Sequence, residues 1–137
     1  LAPRTRRPRH GETAAQASAD TRTEANKAKL LEFYRVVFEA QDVSHAGDVM
    51  AVDGVEHNPT AGQGLAGFVQ GFGSRWKPRP VAAALRNPPV EMVAEGDLVQ
   101  LVFKRPRPEP TDPTKTYDSF WFDLFRMKDA WTLVMAG

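Results

Sequence analysis

Two residue settings in this 137-residue chain carry side chains able to move protons. The first is "SFWFDLFR", residues 119–126, where Asp123 interrupts an aromatic run. Period-two alternation over Tyr117 to Met127 puts Ser119, Trp121, Asp123 and Phe125 on one strand face, and Phe120, Phe122, Leu124 and Arg126 on the other. A carboxylate between Trp121 and Phe125 is costly to bury unless it is hydrogen-bonded or protonated. Desolvation raises its pKa, and a raised pKa suits a general acid/base near neutral pH. Solvent exposure of that face, or pairing with an arginine, is the structural alternative.

The second setting is "EHNPTAGQG", residues 56–64. His57 titrates near neutrality as an unperturbed imidazole and can donate or accept a proton. Its alternative role is to satisfy backbone groups where Asn58-Pro59 starts a turn. In an extended segment Glu56 and His57 point opposite ways, so the two do not line one pocket. Gly62 and Gly64 let the chain turn into the next helix. Tyr34, Phe38, Phe72, Trp76, Phe103, Trp121 and Phe125 are candidates for an apolar pocket wall, although aromatic stripes at helical spacing more often form core. The arginines of "KPRP" and "KRPRPEP" resemble a phosphate or peptide-ligand surface, against the plainer reading of solvated loops. His45, beside Ser44 and Asp48, reads as surface.

Composition limits the chemistry. The chain contains no cysteine, which excludes disulfides, thiolate catalysis and zinc–thiolate sites. His10, His45 and His57 lack metal-ligand spacing, so the expected mechanism uses no metal or cofactor. Net charge is +1, and five arginines against three acids in residues 1–25 leave the remainder close to neutral. General nucleic-acid binding is not expected. No apolar run is long enough to span a bilayer, and Arg6-Arg7 is not followed by an apolar export segment. The expected location is cytoplasmic.

The elements that must hold these residues read as follows. Residues 1–20 form an expected disordered basic tail, and 21–137 a single domain. Thr21 with Glu24 fits a capping box, followed by Leu30, Phe33, Tyr34, Val37 and Phe38 along one helical face. Asp42 or Ser44 can cap a shorter helix through about Met50. Leu65, Phe68, Val69, Phe72 and Trp76 mark a third helix ended by "KPRP". Val81 to Arg86 is ambiguous. Residues 90–95 and 97–104 flank "EGD" as a hairpin, "PRPEPTDPTK" reads as a long loop, and "KDA" turns into a last short strand, "WTLVM". Helices followed by an antiparallel sheet is an α+β order.

With that order, "LEFYRVVFEAQDVSHAGDVMA", "EHNPTAGQGLAGF", "EGDLVQLVF" and "SFWFDLFRMKD" resemble the SnoaL-like polyketide cyclases of the nuclear transport factor 2-like and ketosteroid-isomerase-like superfamily. The likeness covers residues 26 to about 129. It implies a cone-shaped α+β barrel, three N-terminal helices on a curved antiparallel sheet around an apolar cavity, usually a homodimer. It also implies an early strand before Pro59 with His57 at the cavity mouth, and Asp123 as the acid/base aspartate. The implied activity is aldol-type condensation or isomerisation of a small hydrophobic carbonyl compound. The chain departs from the family where it ends in "AWTLVMAG" instead of a Gly-Lys-Ile-Val-Glu-His-Trp-Asp type of phrase, and where Gly54 and Glu56 replace an aromatic and Gln. Those departures favour a second expectation, a non-catalytic small-molecule-binding or dimerisation module on the same fold. Epoxide hydrolysis by an Asp–Arg–Asp set is disfavoured, since Arg126 lies on the opposite strand face from Asp123.

Overall fold

A computed structural model describes residues 13–59 and 61–127. Helix α1 spans Ala14–Phe33 and passes directly into a π-helical turn, Tyr34–Glu39. A 3-10 turn covers Val43–Asp48, and α2 covers Gly64–Gly73. Strands β1 (Glu91–Glu95), β2 (Leu98–Pro108) and β3 (Thr116–Arg126) then form an antiparallel meander in that order. The class is α+β. Among the described residues the sheet has three strands and is open, not closed into a barrel. The "KDA" turn and the "WTLVM" strand lie outside the described residues, as does most of the tail. Among the described residues no helix is long and apolar enough to cross a membrane.

Helix α1 starts earlier than the Thr21 capping box implies. Thr13 is the cap, accepting the Gln16 N–H at 3.2 Å, and Thr21 instead donates to the Ala17 carbonyl inside the helix. The "AAQASA" run has enough helix propensity to carry the element upstream, so residues 14–20 are helical. Asp42 proves to be the cap of the 3-10 turn, accepting the Ser44 N–H at 3.0 Å. Helix α2 stops at Gly73, before "KPRP" and before Trp76. The ambiguous stretch after Pro80 forms no regular element but is tied down, since the Glu39 carboxylate accepts the N–H groups of Arg86 and Asn87.

The hairpin turn is Gly96-Asp97, with Gly96 at φ +58° in the first turn position. Strand β2 runs through Pro106 and Pro108, so the expected loop shrinks to residues 109–115. The ladder explains how two prolines fit. Val102 accepts the Val90 N–H, so alternate residues from Val102 onward turn their polar backbone towards β1. Strand β1 pairs no further along β2 than Val102, so among the described residues Pro106 and Pro108 lie on a side where no ladder N–H is needed.

The core sits between the first helical segment and one sheet face. Leu30, Phe33 and Val37 meet Val99, Leu101 and Phe125, all fully buried. The other sheet face is open, with Phe120 and Phe122 each 49% exposed.

Candidate functional site

Strand β3 alternates as the sequence indicates: Trp121, Asp123 and Phe125 face inward, opposite Phe103, Leu101 and Val99 of β2. Asp123 is only 3% exposed. Each of its carboxylate oxygens accepts one hydrogen bond. The Tyr34 hydroxyl donates to Oδ2, and the Trp121 indole Nε1 donates to Oδ1 at 2.5 Å. Tyr34 lies where α1 passes into the π-helical turn, its own N–H still bonded to the Leu30 carbonyl, and that turn closes with Asp42 N–H bonded to the Val37 carbonyl. The phenol ring is fixed by its neighbours, stacked on Phe38 at 4.7 Å and tilted against Phe103 at 5.0 Å.

Burial pushes the Asp123 carboxyl above its ordinary value; the Tyr34 and Trp121 hydrogen bonds and the Arg105 charge oppose that rise without cancelling it. Tyr34 is driven well above the usual phenol range, chiefly by burial and then by the Asp123 charge. It therefore stays a hydrogen-bond donor throughout the neutral range. A carboxyl poised upward beside a permanent donor can take a proton and assist a developing oxyanion.

A second buried carboxyl belongs to this cluster, and sequence reasoning missed it. Glu56 is buried and feels the Asp123 charge, while His57 is exposed. The segment around His57 is irregular, with no strand at 54–58. Glu56 and His57 do point apart, but the glutamate takes the inner side. Gln63 decides this: its Oε1 accepts the Glu56 N–H at 3.1 Å and its Nε2 donates to the Glu56 carbonyl at 2.6 Å. The Glu56 carboxylate in turn accepts the Asn58 N–H at 2.8 Å. Burial raises its pKa, and the Asn58 and His57 backbone donors hold it back. The only sequence signal was the Glu-for-Gln departure beside "HNP".

Three glycines shape this loop and its entry into α2. Gly64 opens α2 at φ +65°, with the Val52 carbonyl where a Cβ would sit. Gly62 and Gly67 approach backbone to backbone, and a Cβ on Gly67 would come within 2.3 Å of Gly62.

Of the aromatic candidates, Tyr34, Phe103, Trp121 and Phe125 surround Asp123, with Phe38 behind Tyr34. Phe72 and Trp76 belong to a neighbouring cluster, joined to this one through Phe38 at 5.9 and 5.4 Å. His45 pairs loosely with Asp48 at 3.4 Å on the edge of a separate cavity of about 270 Å³, which shares no lining residue with the Asp123 cluster. Compared with known proteins, the chain matches no family model, no curated protein and no solved structure.

Proposed function

We propose that the domain is a cofactor-free acid/base enzyme of the SnoaL-like kind, catalysing aldol-type condensation or isomerisation of a small hydrophobic carbonyl compound. The observation that carries this reading is Asp123: a carboxyl almost completely buried among aromatic rings, shifted upward, with a phenol on one oxygen and an indole N–H on the other. Ionised Asp123 removes a proton from carbon next to a carbonyl. The enolate carbon then forms the new bond to a second carbonyl, whose oxygen takes the proton back from Asp123, or in an isomerisation Asp123 returns the proton to a different carbon. Once Asp123 holds the proton, the Tyr34 phenol is released to donate to the oxyanion. Glu56, buried and electrostatically coupled to Asp123, is the second proton-holding group. His57, exposed, has no part in the step.

The test needs no natural substrate. Hydrogen–deuterium exchange at the activated methylene of 1,3-dicarbonyl compounds is followed by NMR with intact protein and with Asp123→Asn, both shown folded by circular dichroism. Acceleration by the intact protein, lost in the variant, is expected. Equal rates would remove Asp123 as a base for this substrate class.

A second reading, a non-catalytic dimerisation module, draws on the open sheet face, where Val93, Phe120 and Phe122 are each about half exposed. Equilibrium sedimentation of intact protein and Phe122→Lys tests it. A dimer dispersed by the substitution, together with no exchange catalysis, would favour that reading.

A further inference from the structure

The inner face of the β2–β3 hairpin continues beyond the buried core. Past the Phe103–Trp121 pair it carries Arg105 opposite Ser119, then Arg107 opposite Tyr117. Both arginines are exposed, and Tyr117 is 44% exposed. The "KRPRPEP" arginines are thus not scattered on a loop: they stand on the strand face that leads to Asp123.

Arg105 is held in place without a carboxylate. Its guanidinium lies over the Trp121 ring, 5.0 Å from the centroid, on the same indole whose N–H binds Asp123. Its charge acts on both Asp123 and Tyr34. Among the described residues of this hairpin Arg105 and Arg107 are the cations that form no ion pair, whereas Lys104, Lys115 and Arg126 are matched to Asp118, Asp112 and Asp97. Arg105 and Arg107 occupy adjacent same-face positions, backbones about 7 Å apart, so this strand face carries two neighbouring exposed positive charges. The guanidinium fork fits a carboxylate with two parallel hydrogen bonds.

We propose that Arg105, supported by Arg107, is the anion-binding end of the Asp123 site, and that the carbonyl substrate carries a carboxylate. The position of the carbonyl end rests on the acid/base reading above; the anion end is testable by binding alone. Arg105 leans back over Trp121, the residue two positions from Asp123 on the strand. That offset of about 7 Å suits a carboxylate separated from the acidic carbon by about four bonds. The arginine charge also offsets the repulsion that an anionic substrate meets at an ionised Asp123.

A matched pair of probes supplies the test: 4,6-dioxoheptanoate, whose activated methylene lies four bonds from the carboxylate carbon, and its neutral methyl ester. Affinities are measured by titration calorimetry with intact protein, Arg105→Gln, Arg107→Gln and Asp123→Asn. The acid is expected to bind the intact protein about tenfold or more tighter than the ester. Arg105→Gln should erase the difference by weakening the acid alone, Arg107→Gln should reduce it, and Asp123→Asn, which removes the repelling carboxylate, should keep or widen it. Equal affinities in the intact protein, a difference that survives Arg105→Gln, or binding of neither probe would overturn the proposal. Displacement of the acid by an equal concentration of inorganic phosphate would overturn the carboxylate assignment in favour of phosphorylated ligands. A preserved acid–ester difference without exchange catalysis would sink the acid/base reading and leave the anion site standing.

Discussion

Tyr34 and Asp123, 89 positions apart in the chain, are joined by a hydrogen bond from the phenol to Oδ2 inside the core. This one contact couples the end of α1 to the inward face of β3. It gives Asp123 a way to be buried without being an orphaned charge. It also makes the chemistry of the carboxyl sensitive to how the π-helical turn is built.

Tyr34→Phe removes the phenol donor and leaves the ring in place. The expected loss is about 1–3 kcal/mol of stability, because Oδ2 is left buried with one partner fewer. The hydrogen bond from Tyr34 lowers the Asp123 pKa, so its removal should move that pKa still higher. Urea denaturation reads the first effect, and a carbon-13 carboxyl titration by NMR reads the second. A downward shift would contradict the assigned geometry.

Stability should fall as pH rises through the mildly acid range. Asp123 and Glu56 are both raised above ordinary values of 3.8 and 4.5, so the folded state keeps protons that the unfolded chain releases. Their contribution is fully present below those values and is lost as pH climbs through the raised ones. Glu56→Gln removes one of the two titrations while leaving an oxygen to accept the Asn58 N–H. Denaturation curves from about pH 4 to pH 7 should therefore be flatter for the variant than for the intact protein.

The loop around Glu56 separates two neighbours with different jobs. His57→Ala should change stability by no more than about 0.5 kcal/mol and leave exchange activity intact, as for an ordinary surface position. Gln63→Ala strips both bonds from the Glu56 backbone and should cost about 1–3 kcal/mol. Thermal melts of the two variants side by side would reveal the reverse order if His57, rather than Glu56, were the inward residue.

Gly67→Ala should be severe. A methyl group there meets Gly62 main-chain atoms, which cannot rotate aside as a side-chain end can. Displacing that backbone should cost on the order of 1–3 kcal/mol or more, seen as a lowered melting temperature. Gly71→Ala, in the same helix with nothing within 4 Å of the added carbon, is the control and should stabilise slightly.

The legible parts of the sequence were those where a period and a burial pattern agree. Trp121, Asp123 and Phe125 fell on one face by simple alternation, and Gly96 marked its turn because few other residues accept its φ. The aromatic stripe placed Tyr34 inward, but its hydrogen-bond partner 89 positions away is set by how helix and sheet pack, which leaves no local period. At Glu56 alternation gave the relation between two residues and not its direction. The direction came from a side-chain amide seven positions away imitating a strand's backbone, which no local pattern encodes. Pro106 and Pro108 misled for a related reason. Proline forbids a paired edge, and sequence alone does not tell which edge has lost its neighbour.

The same two prolines bear on how the molecule behaves in crowded solution. Among the described residues the half of β2 beyond Val102 has no strand partner on that side, the type of edge on which a second chain can begin to stack into aggregates. At Pro106 and Pro108 that border offers no N–H, and between and beside them stand the charges of Arg105 and Arg107. An incoming strand finds a broken row of donors. The exposed end of the hairpin can thus present a strand face without serving as a template for fibres.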